Sequence, residues 1–374
     1  MKNDITMKKI TVLFFLFFIF SVPIYNIFTE DKKVSEIENK VLTQLPELSI
    51  DSILSKRFMA NFDEYTSDQF PLRTDLITFK NYFSYGIGNR EFRNIYLSNN
   101  RLLEKFTLNK DIFSSNLDSI DSISKVLSQY NINSTLALIP TSIEFYKSEL
   151  PYYAISDSQL NAISFAKEIL SDSNIDNLYS PYDILYNNKD KYIFFNTDHH
   201  WTQLGAYLTY LDMFNYNYSE YDLYNNFTKV SDSFLGTYYS KVLLKNIEDD
   251  SIYSYDNFNN FNITIDFNKS YSTLYDLDKL KSKNQYQYFL HGDPAFAVIE
   301  GNQNINKELI IFKDSFAHCF IPFLCNEYSK IHVVDPRYYD IDLDKYLSNN
   351  KNITDALFFN NLQQMNTSIF YKFK

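Results

Sequence analysis

Two short stretches of this chain together carry the residue types of a serine nucleophile and its base: Asp198-His199-His200-Trp201 and Lys313-Asp314-Ser315-Phe316. Asp198 and His200 are two positions apart, so in an extended segment both side chains leave the same face. That spacing lets a carboxylate hold an imidazole in one tautomer, with the second ring nitrogen left to take a proton from a serine hydroxyl. Ser315 is the candidate serine. An apolar run from Glu308 to Phe312 leads directly to it, and Phe316-Ala317-His318-Cys319-Phe320 reads as the start of a helix. A serine at such a strand-to-helix turn sits at the carboxyl end of a sheet, where α/β folds bind ligands, and its N–H joins the free amides of a helix start. Those amides can stabilise an oxyanion.

Each stretch also has a plainer reading. Ser315 could simply cap its helix, as Ser and Asp commonly do. Asp198 to Trp201 precede Thr202, itself a capping residue type, so they could form an ordinary capping loop. His199 and His200 could instead bind a metal with a carboxylate. That needs a third ligand from His291, His318, His332 or an acid, and no HExxH-type spacing supplies one. Taken together, the two stretches favour Ser315 as nucleophile, His200 as general base and Asp198 as its orienting carboxylate, with no metal or other cofactor. Trp201, the only tryptophan, is expected to pack against the loop, and His199 to face away from it. Further oxyanion donors could come from Gly236 or from Asn360 and Asn361 after the last strand. Thr141 and Tyr146 would line the pocket. Arg337 is expected to form a salt bridge with Asp335 or Asp340.

These residues need a scaffold that brings distant segments to one end of a sheet. From about Phe92 onward, helical and strand signals alternate. Ile120, Ile123, Val126, Leu127 and Tyr130 recur at helical spacing, and Thr135 to Pro140 reads as a strand. Ser156 with Gln159 forms a capping-box signal ahead of the apolar positions Leu160, Ile163, Ala166, Ile169 and Leu170. Glu308 to Phe312, Lys330 to Val334 and Asp355 to Phe359 are short apolar runs of the kind buried on both faces. The alternation implies an α/β fold, a parallel sheet flanked by helices, over 92–374. The stretch 215–304 breaks the rhythm and reads as an insertion of β-hairpins and loops. Residues 31–91 read as a stalk followed by a helical segment broken at Pro71.

Composition excludes several functions. Net charge is −11 from 35 basic and 46 acidic residues, so most of the surface repels nucleic acid. At 45% hydrophobic residues, with 34 Phe and 32 Tyr, the chain is built to pack a core rather than stay disordered. Lys2, Lys8 and Lys9 precede an uncharged run from Ile10 to Phe28. About 19 residues at ~1.5 Å each span ~28 Å, near the bilayer core thickness. The flanking lysines place the N-terminus in the cytoplasm and the body outside it. Ser21-Val22-Pro23 is a poor cleavage site, so residues 1–30 are expected to remain as a single-pass anchor in the cell membrane. Cys319 and Cys325 are the only cysteines, ~9 Å apart if helical, too far for a disulfide. They are expected to be buried free thiols.

Asp198-His199-His200-Trp201-Thr202, preceded by Asn196-Thr197 and followed by Gly205-Ala206, is similar to the signature of the DHHW proteins. These belong to the wider SGNH (GDSL-like) hydrolase superfamily. They are related to the periplasmic alginate O-acetyltransferase proteins, whose Asp-x-His-Trp-Thr segment carries a catalytic Asp and His. Glu38-Asn39-Lys40, Asp68-Gln69-Phe70-Pro71-Leu72-Arg73, the Phe234 to Lys241 segment and Asp335-Pro336-Arg337 also resemble the family. Two departures stand out. Lys313 occupies the place of the Gly in a Gly-Asp-Ser turn, and the Asp/His pair precedes the serine, unlike ordinary GDSL esterases. The second agrees with the acetyltransferase-like branch.

The resemblance implies an SGNH-hydrolase-like (flavodoxin-like) sheet and assigns Asp198, His200 and Ser315 the acid, base and nucleophile roles, with His199, Trp201 and Asp314 supporting the motifs. The expected activity is acyl-ester chemistry on a cell-envelope polysaccharide or another acylated glycan. Transfer of an acetyl group, alongside a membrane-bound O-acyltransferase donor, is weighed first. A carbohydrate esterase and a non-catalytic polysaccharide-binding or assembly protein are the alternatives.

Overall fold

A computed structural model describes residues 2–244, 247–255 and 261–371. Contacts divide the chain into two compact units, Met1–Asn89 with Ser240–Lys245, and Arg90–Tyr239 with Asn246–Lys374.

In the first unit, the helix Lys2–Ile27 contains Thr6–Asn26, long and apolar enough to be a membrane span or a signal sequence. Two further helices, Arg57–Asp68 and Arg73–Gly86, are separated at Pro71, whose ring cannot continue a helix. The two segments of this region that resemble the family, Glu38-Asn39-Lys40 and Asp68 to Arg73, meet. Lys40 Nζ donates to buried Asp68 at 2.7 Å, the Thr43 N–H donates to the same carboxylate at 3.0 Å, and Arg73 pairs with Glu38 at 3.1 Å.

The second unit is built on an eight-stranded sheet. Numbering only its strands, these are β1 (Asn133–Ile139), β2 (Asn177–Tyr179), β3 (Asn262–Ile265), β4 (Lys269–Tyr271), β5 (Phe296–Glu300), β6 (Glu308–Lys313), β7 (Lys330–Val334) and β8 (Ile353–Asn361). Their order is β4-β3-β5-β7-β6-β8-β1-β2. From β7 to β2 all neighbours run parallel, while β5, β3 and β4 join antiparallel at one edge. The central strand β6 is buried along its whole length, as its Leu-Ile-Ile-Phe run requires of a strand covered on both faces.

Within 215–304, Phe227–Phe234 pairs with Asp250–Tyr255 as a separate hairpin, and β3, β4 and β5 extend the main sheet. The strand at Ile95–Leu97 lies in its own three-stranded sheet. Ser156 does not form a capping box. Its hydroxyl pairs with the Phe106 backbone, the helix begins at Gln159, and Glu144 accepts the Gln159 N–H at 2.7 Å.

Candidate active site

β6 delivers Ser315 to the carboxyl end of the sheet. The turn there needs no glycine: Lys313 ends the strand, and Asp314 has φ −102° and ψ −171°, an extended conformation open to any residue. The cap of the short 3₁₀ turn Ser315–Cys319 is Asp314, whose Oδ1 accepts the Phe316 N–H at 2.8 Å. Its Oδ2 accepts the Asn361 backbone N–H at 2.6 Å and side-chain amide at 2.8 Å, tying the turn to the end of β8. Asp314 therefore does the capping that Ser315 could have done, and the Ser315 hydroxyl is left for another partner.

That partner is His200. Ser315 Oγ lies 2.8 Å from His200 Nε2, and His200 Nδ1 lies 2.6 Å from Asp198 Oδ1. With the proton on Nδ1, the imidazole donates to Asp198 and accepts from the serine. The loop carrying the pair is not an extended strand. It is a tight excursion between the bridge partners Phe194 and Trp201, in which the His200 N–H folds back onto Asp198 Oδ1 at 3.0 Å. Thr202 closes it by capping the helix Gln203–Met213. Trp201 is fully buried, donates its indole N–H to the Phe316 carbonyl at 2.9 Å, and packs on Phe316, Phe320 and Phe359. It thereby locks the His200 loop to the Ser315 turn.

Asp198 is held from its far side. Oδ2 accepts the Thr237 N–H at 2.7 Å and hydroxyl at 3.0 Å. Burial alone would raise this carboxyl, but His199, His200 and the Thr237 N–H overcome it and hold it well below the usual carboxylate range. Gly236 makes the approach possible: a Cβ there would stand 2.2 Å from the Asp198 Cβ. Behind the loop, buried Asp250 accepts from the Thr197 N–H at 2.7 Å, the Thr197 hydroxyl at 2.6 Å and the Asn196 N–H at 2.9 Å.

His199 does not face away. Its Nδ1 sits 2.7 Å from Thr237 Oγ1 and 3.5 Å from Asp198 Oδ1, and its ring centroid is 3.7 Å from that of His200. Both adjacent histidines are drawn to one carboxylate, which the two-residue periodicity of a strand does not anticipate. Among the described residues, Asp198, His199 and His200 are the one His/Cys/Asp/Glu group close enough to share a metal ion. His291, His318 and His332 are bound elsewhere, to the Thr273 carbonyl, Lys313 and Glu308.

Lys313, in place of a turn glycine, is fully buried. Its Nζ donates to Asp335 Oδ2 at 2.8 Å and lies 2.8 Å from His318 Nε2, while Arg337 grips both oxygens of Asp335 at 2.8 and 2.6 Å. Burial pushes the Lys313 ammonium down despite Asp335, and pushes His318 well below its ordinary value, with Lys313 adding to the effect. Of the two bridges expected for Arg337, the one to Asp335 forms.

The family model for the DHHW protein matches residues 87–334, well over half of the chain. The chain belongs to the DHHW protein family. Among solved structures, this DHHW protein is similar to a DHHW family protein from Eubacterium siraeum DSM 15702, with 22% identity and a TM-score of 0.61 over 74% of this chain and 96% of that one. It is also similar to Bacillus cereus PatB1, with 20% identity and a TM-score of 0.57 over 75% of this chain and 99% of that one. PatB1 has in addition been obtained with a sulfonyl adduct. The O-acetyltransferase domain of Pseudomonas putida AlgJ is more distant, at 12% identity and a TM-score of 0.45 over 74% of this chain and 93% of its own. Comparison with curated proteins gave no match.

The remaining expected pocket residues of this DHHW protein have structural partners. The Gly236 N–H donates to Thr197 Oγ1 at 3.0 Å, so it braces the loop and is not an oxyanion donor. Asn361 is engaged with Asp314. Asn360 accepts from the Tyr371 hydroxyl at 2.5 Å, and its buried Nδ2 has no hydrogen-bond partner among the described residues. Thr141 exchanges two hydrogen bonds with the Gln159 side chain, at 2.8 and 2.7 Å. Tyr146 donates to the Lys189 carbonyl, and the Arg101 guanidinium lies 3.5 Å over its ring. Thr237, Asp250 and Tyr286 were not among the expected site residues. Tyr286 stacks on the His200 imidazole, and in a chain with 32 tyrosines no signal marks it.

Proposed function

We propose that this DHHW protein is an SGNH-like acyl-ester enzyme working outside the cytoplasm, an O-acetyltransferase of a cell-envelope polysaccharide. The observation that carries the reading is the continuous line from Asp198 Oδ1 through His200 to Ser315 Oγ, with both links within hydrogen-bond reach. His200 takes the serine proton as Oγ adds to the carbonyl carbon of an acetyl ester. The Ser315 N–H faces the developing oxyanion, the donor's alkoxide leaves with the proton from His200, and an acetyl-serine results. In the second half a glycan hydroxyl, deprotonated by His200, attacks that ester and releases Ser315. Asp198 stays ionised throughout and stabilises the imidazolium.

An esterase would run the same first half and use water in the second. The Asp/His pair standing before the serine, as in the alginate acetyltransferase proteins, supports transfer. A retained Thr6–Asn26 helix would tether the enzyme beside a membrane-bound O-acyltransferase that supplies the acetyl group.

The reading is tested with a soluble fragment lacking the N-terminal helix, incubated with p-nitrophenyl acetate. Wild type is expected to release nitrophenol and to carry an acetyl group on Ser315 detectable by mass spectrometry, and Ser315→Ala to do neither. Equal slow release by both would sink the catalytic reading. Acetyl transfer to an added oligosaccharide, in excess of hydrolysis, separates transferase from esterase.

A further inference from the structure

Tyr286 lies in the short 3₁₀ turn Gln285–Tyr288, in a part of the chain that carries neither motif. Its ring faces the His200 imidazole at a centroid separation of 3.6 Å and an interplanar angle of 8°. Its hydroxyl donates to the Ser315 carbonyl at 3.0 Å and lies 3.4 Å from Cys319 Sγ. Burial pushes the phenol well above its ordinary value, so it stays a neutral donor. The same segment reaches the loop that holds Asp198: Lys283 Nζ donates to the Leu235 carbonyl at 2.7 Å, just before Gly236 and Thr237. Gln285 fastens it further, pairing with Ser231 and donating to the Ser233 carbonyl at 3.2 Å.

The stacking geometry is informative. Two neutral aromatic rings avoid a face-to-face sandwich, because their quadrupoles repel, and prefer offset or edge-on arrangements. A separation of 3.6 Å with nearly parallel planes leaves little room for offset. The same arrangement becomes attractive once one ring is a cation, since the negative face of the phenol then meets positive charge. In the catalytic reading, His200 becomes such a cation as it takes the Ser315 proton. The contact is therefore stronger in the transition state than in the ground state, the kind of interaction that raises turnover rather than affinity.

We propose that Tyr286 is a positioning residue of this site, its ring face stabilising the imidazolium form of His200 while its hydroxyl fixes the Ser315 backbone. This rests on the catalytic reading of Ser315 and His200. The test replaces Tyr286 in the detergent-solubilised full-length protein with phenylalanine, 4-fluorophenylalanine and 3,4,5-trifluorophenylalanine, which keep the ring's shape and progressively drain its face of negative charge. With p-nitrophenyl acetate, kcat is expected to fall stepwise along the series, about 3- to 10-fold overall, with KM within about twofold. Tyr286→Leu, which removes the ring, is expected to lose at least as much. The His200 ring protons are expected upfield in NMR spectra of wild type and Tyr286→Phe, but not of Tyr286→Leu. A flat kcat across the fluorinated series overturns the proposal, even with a folded and active wild type. Absence of the upfield shift in wild type does so as well. If wild type is no more active than Ser315→Ala, it is the catalytic reading that falls.

Discussion

Gly236 and Asp198 are in backbone-to-side-chain contact so close that a methyl group at position 236 would stand 2.2 Å from the Asp198 Cβ and 2.4 Å from Oδ2. This approach is what lets the Thr237 N–H reach Asp198 Oδ2 at 2.7 Å. Gly236→Ala is therefore expected to displace Asp198 from His200 while leaving the sheet intact. Misplacement of a catalytic group by about 1 Å costs on the order of 100-fold in rate. The check is kcat for p-nitrophenyl acetate beside an unchanged far-UV circular dichroism spectrum. Wild-type turnover would show that the contact is dispensable.

Asp314 and Ser315 are neighbours with separable duties. Asp314 accepts three hydrogen bonds, from the Phe316 N–H and from the backbone and side chain of Asn361. Asp314→Ala leaves buried donors unpaired, so a loss of about 2–3 kcal/mol in urea unfolding is expected. Ser315→Ala removes a half-buried hydroxyl whose partner is the imidazole, and is expected to stay within about 0.5 kcal/mol of wild type while losing activity. Equal destabilisation by both would mean that Ser315 also holds the turn.

The buried pair Lys313 and Asp335 predicts an asymmetry. Lys313→Met leaves Asp335 with its two-pronged grip from Arg337, whereas Asp335→Leu leaves a fully buried ammonium without its carboxylate. Removing one partner of a buried pair costs about 3–5 kcal/mol when the remaining charge is stranded. Asp335→Leu is expected to fall in that range and Lys313→Met well below it. Urea midpoints decide, and a reversed order would contradict the arrangement.

The scaffold was legible where the pattern is strong. The apolar runs became β6, β7 and most of β8, because a central parallel strand must be apolar on both faces. The residues that meet at the site were legible too, since Asp198-x-His200 and a strand running into Ser315 are local patterns. Their support was not. Tyr286 and Asp250 approach from segments with no periodic signature, where an abundance of tyrosine and aspartate hides them, and the segment holding Thr237 was noted for its resemblance without a role for Thr237. The expected direction of His199 failed because a loop braced by side chains does not keep the alternation of a strand. Gly236 was noticed for its backbone N–H, whereas its missing side chain is the feature used. Lys313 raised a doubt that the backbone removes, since the turn lies in ordinary φ/ψ space.

Asp198, His199 and His200 could present ligand atoms to a metal, yet each is already engaged, with the His200 Nδ1 facing Asp198 and its Nε2 facing Ser315. A mechanism through the serine does not use an ion there. Dialysis against EDTA is expected to leave the hydrolysis rate of p-nitrophenyl acetate unchanged, and elemental analysis of the soluble fragment to give no stoichiometric zinc. Loss of activity on chelation, restored by zinc, would favour the metal site over the serine.

The depressed Asp198 carboxyl has a definite signature in acid. Although burial opposes ionisation, His199, His200 and Thr237 keep the folded-state value below the ordinary 3.8. Above that ordinary value both states carry the ionised group, and its full stabilising contribution is present. As pH falls below it, the unfolded chain takes up a proton first, so stability is lost progressively toward the folded-state value. Asp314 and Asp250 are raised by burial and have the opposite sign, but they are common to both proteins in a comparison with Asp198→Asn and cancel. Any stability advantage of wild type over Asp198→Asn present at about pH 4 is therefore expected to shrink between about 4 and 2, followed by urea midpoints at each pH. A difference that stays constant or grows as pH falls below about 4 would show that the Asp198 carboxyl is not held below its ordinary value.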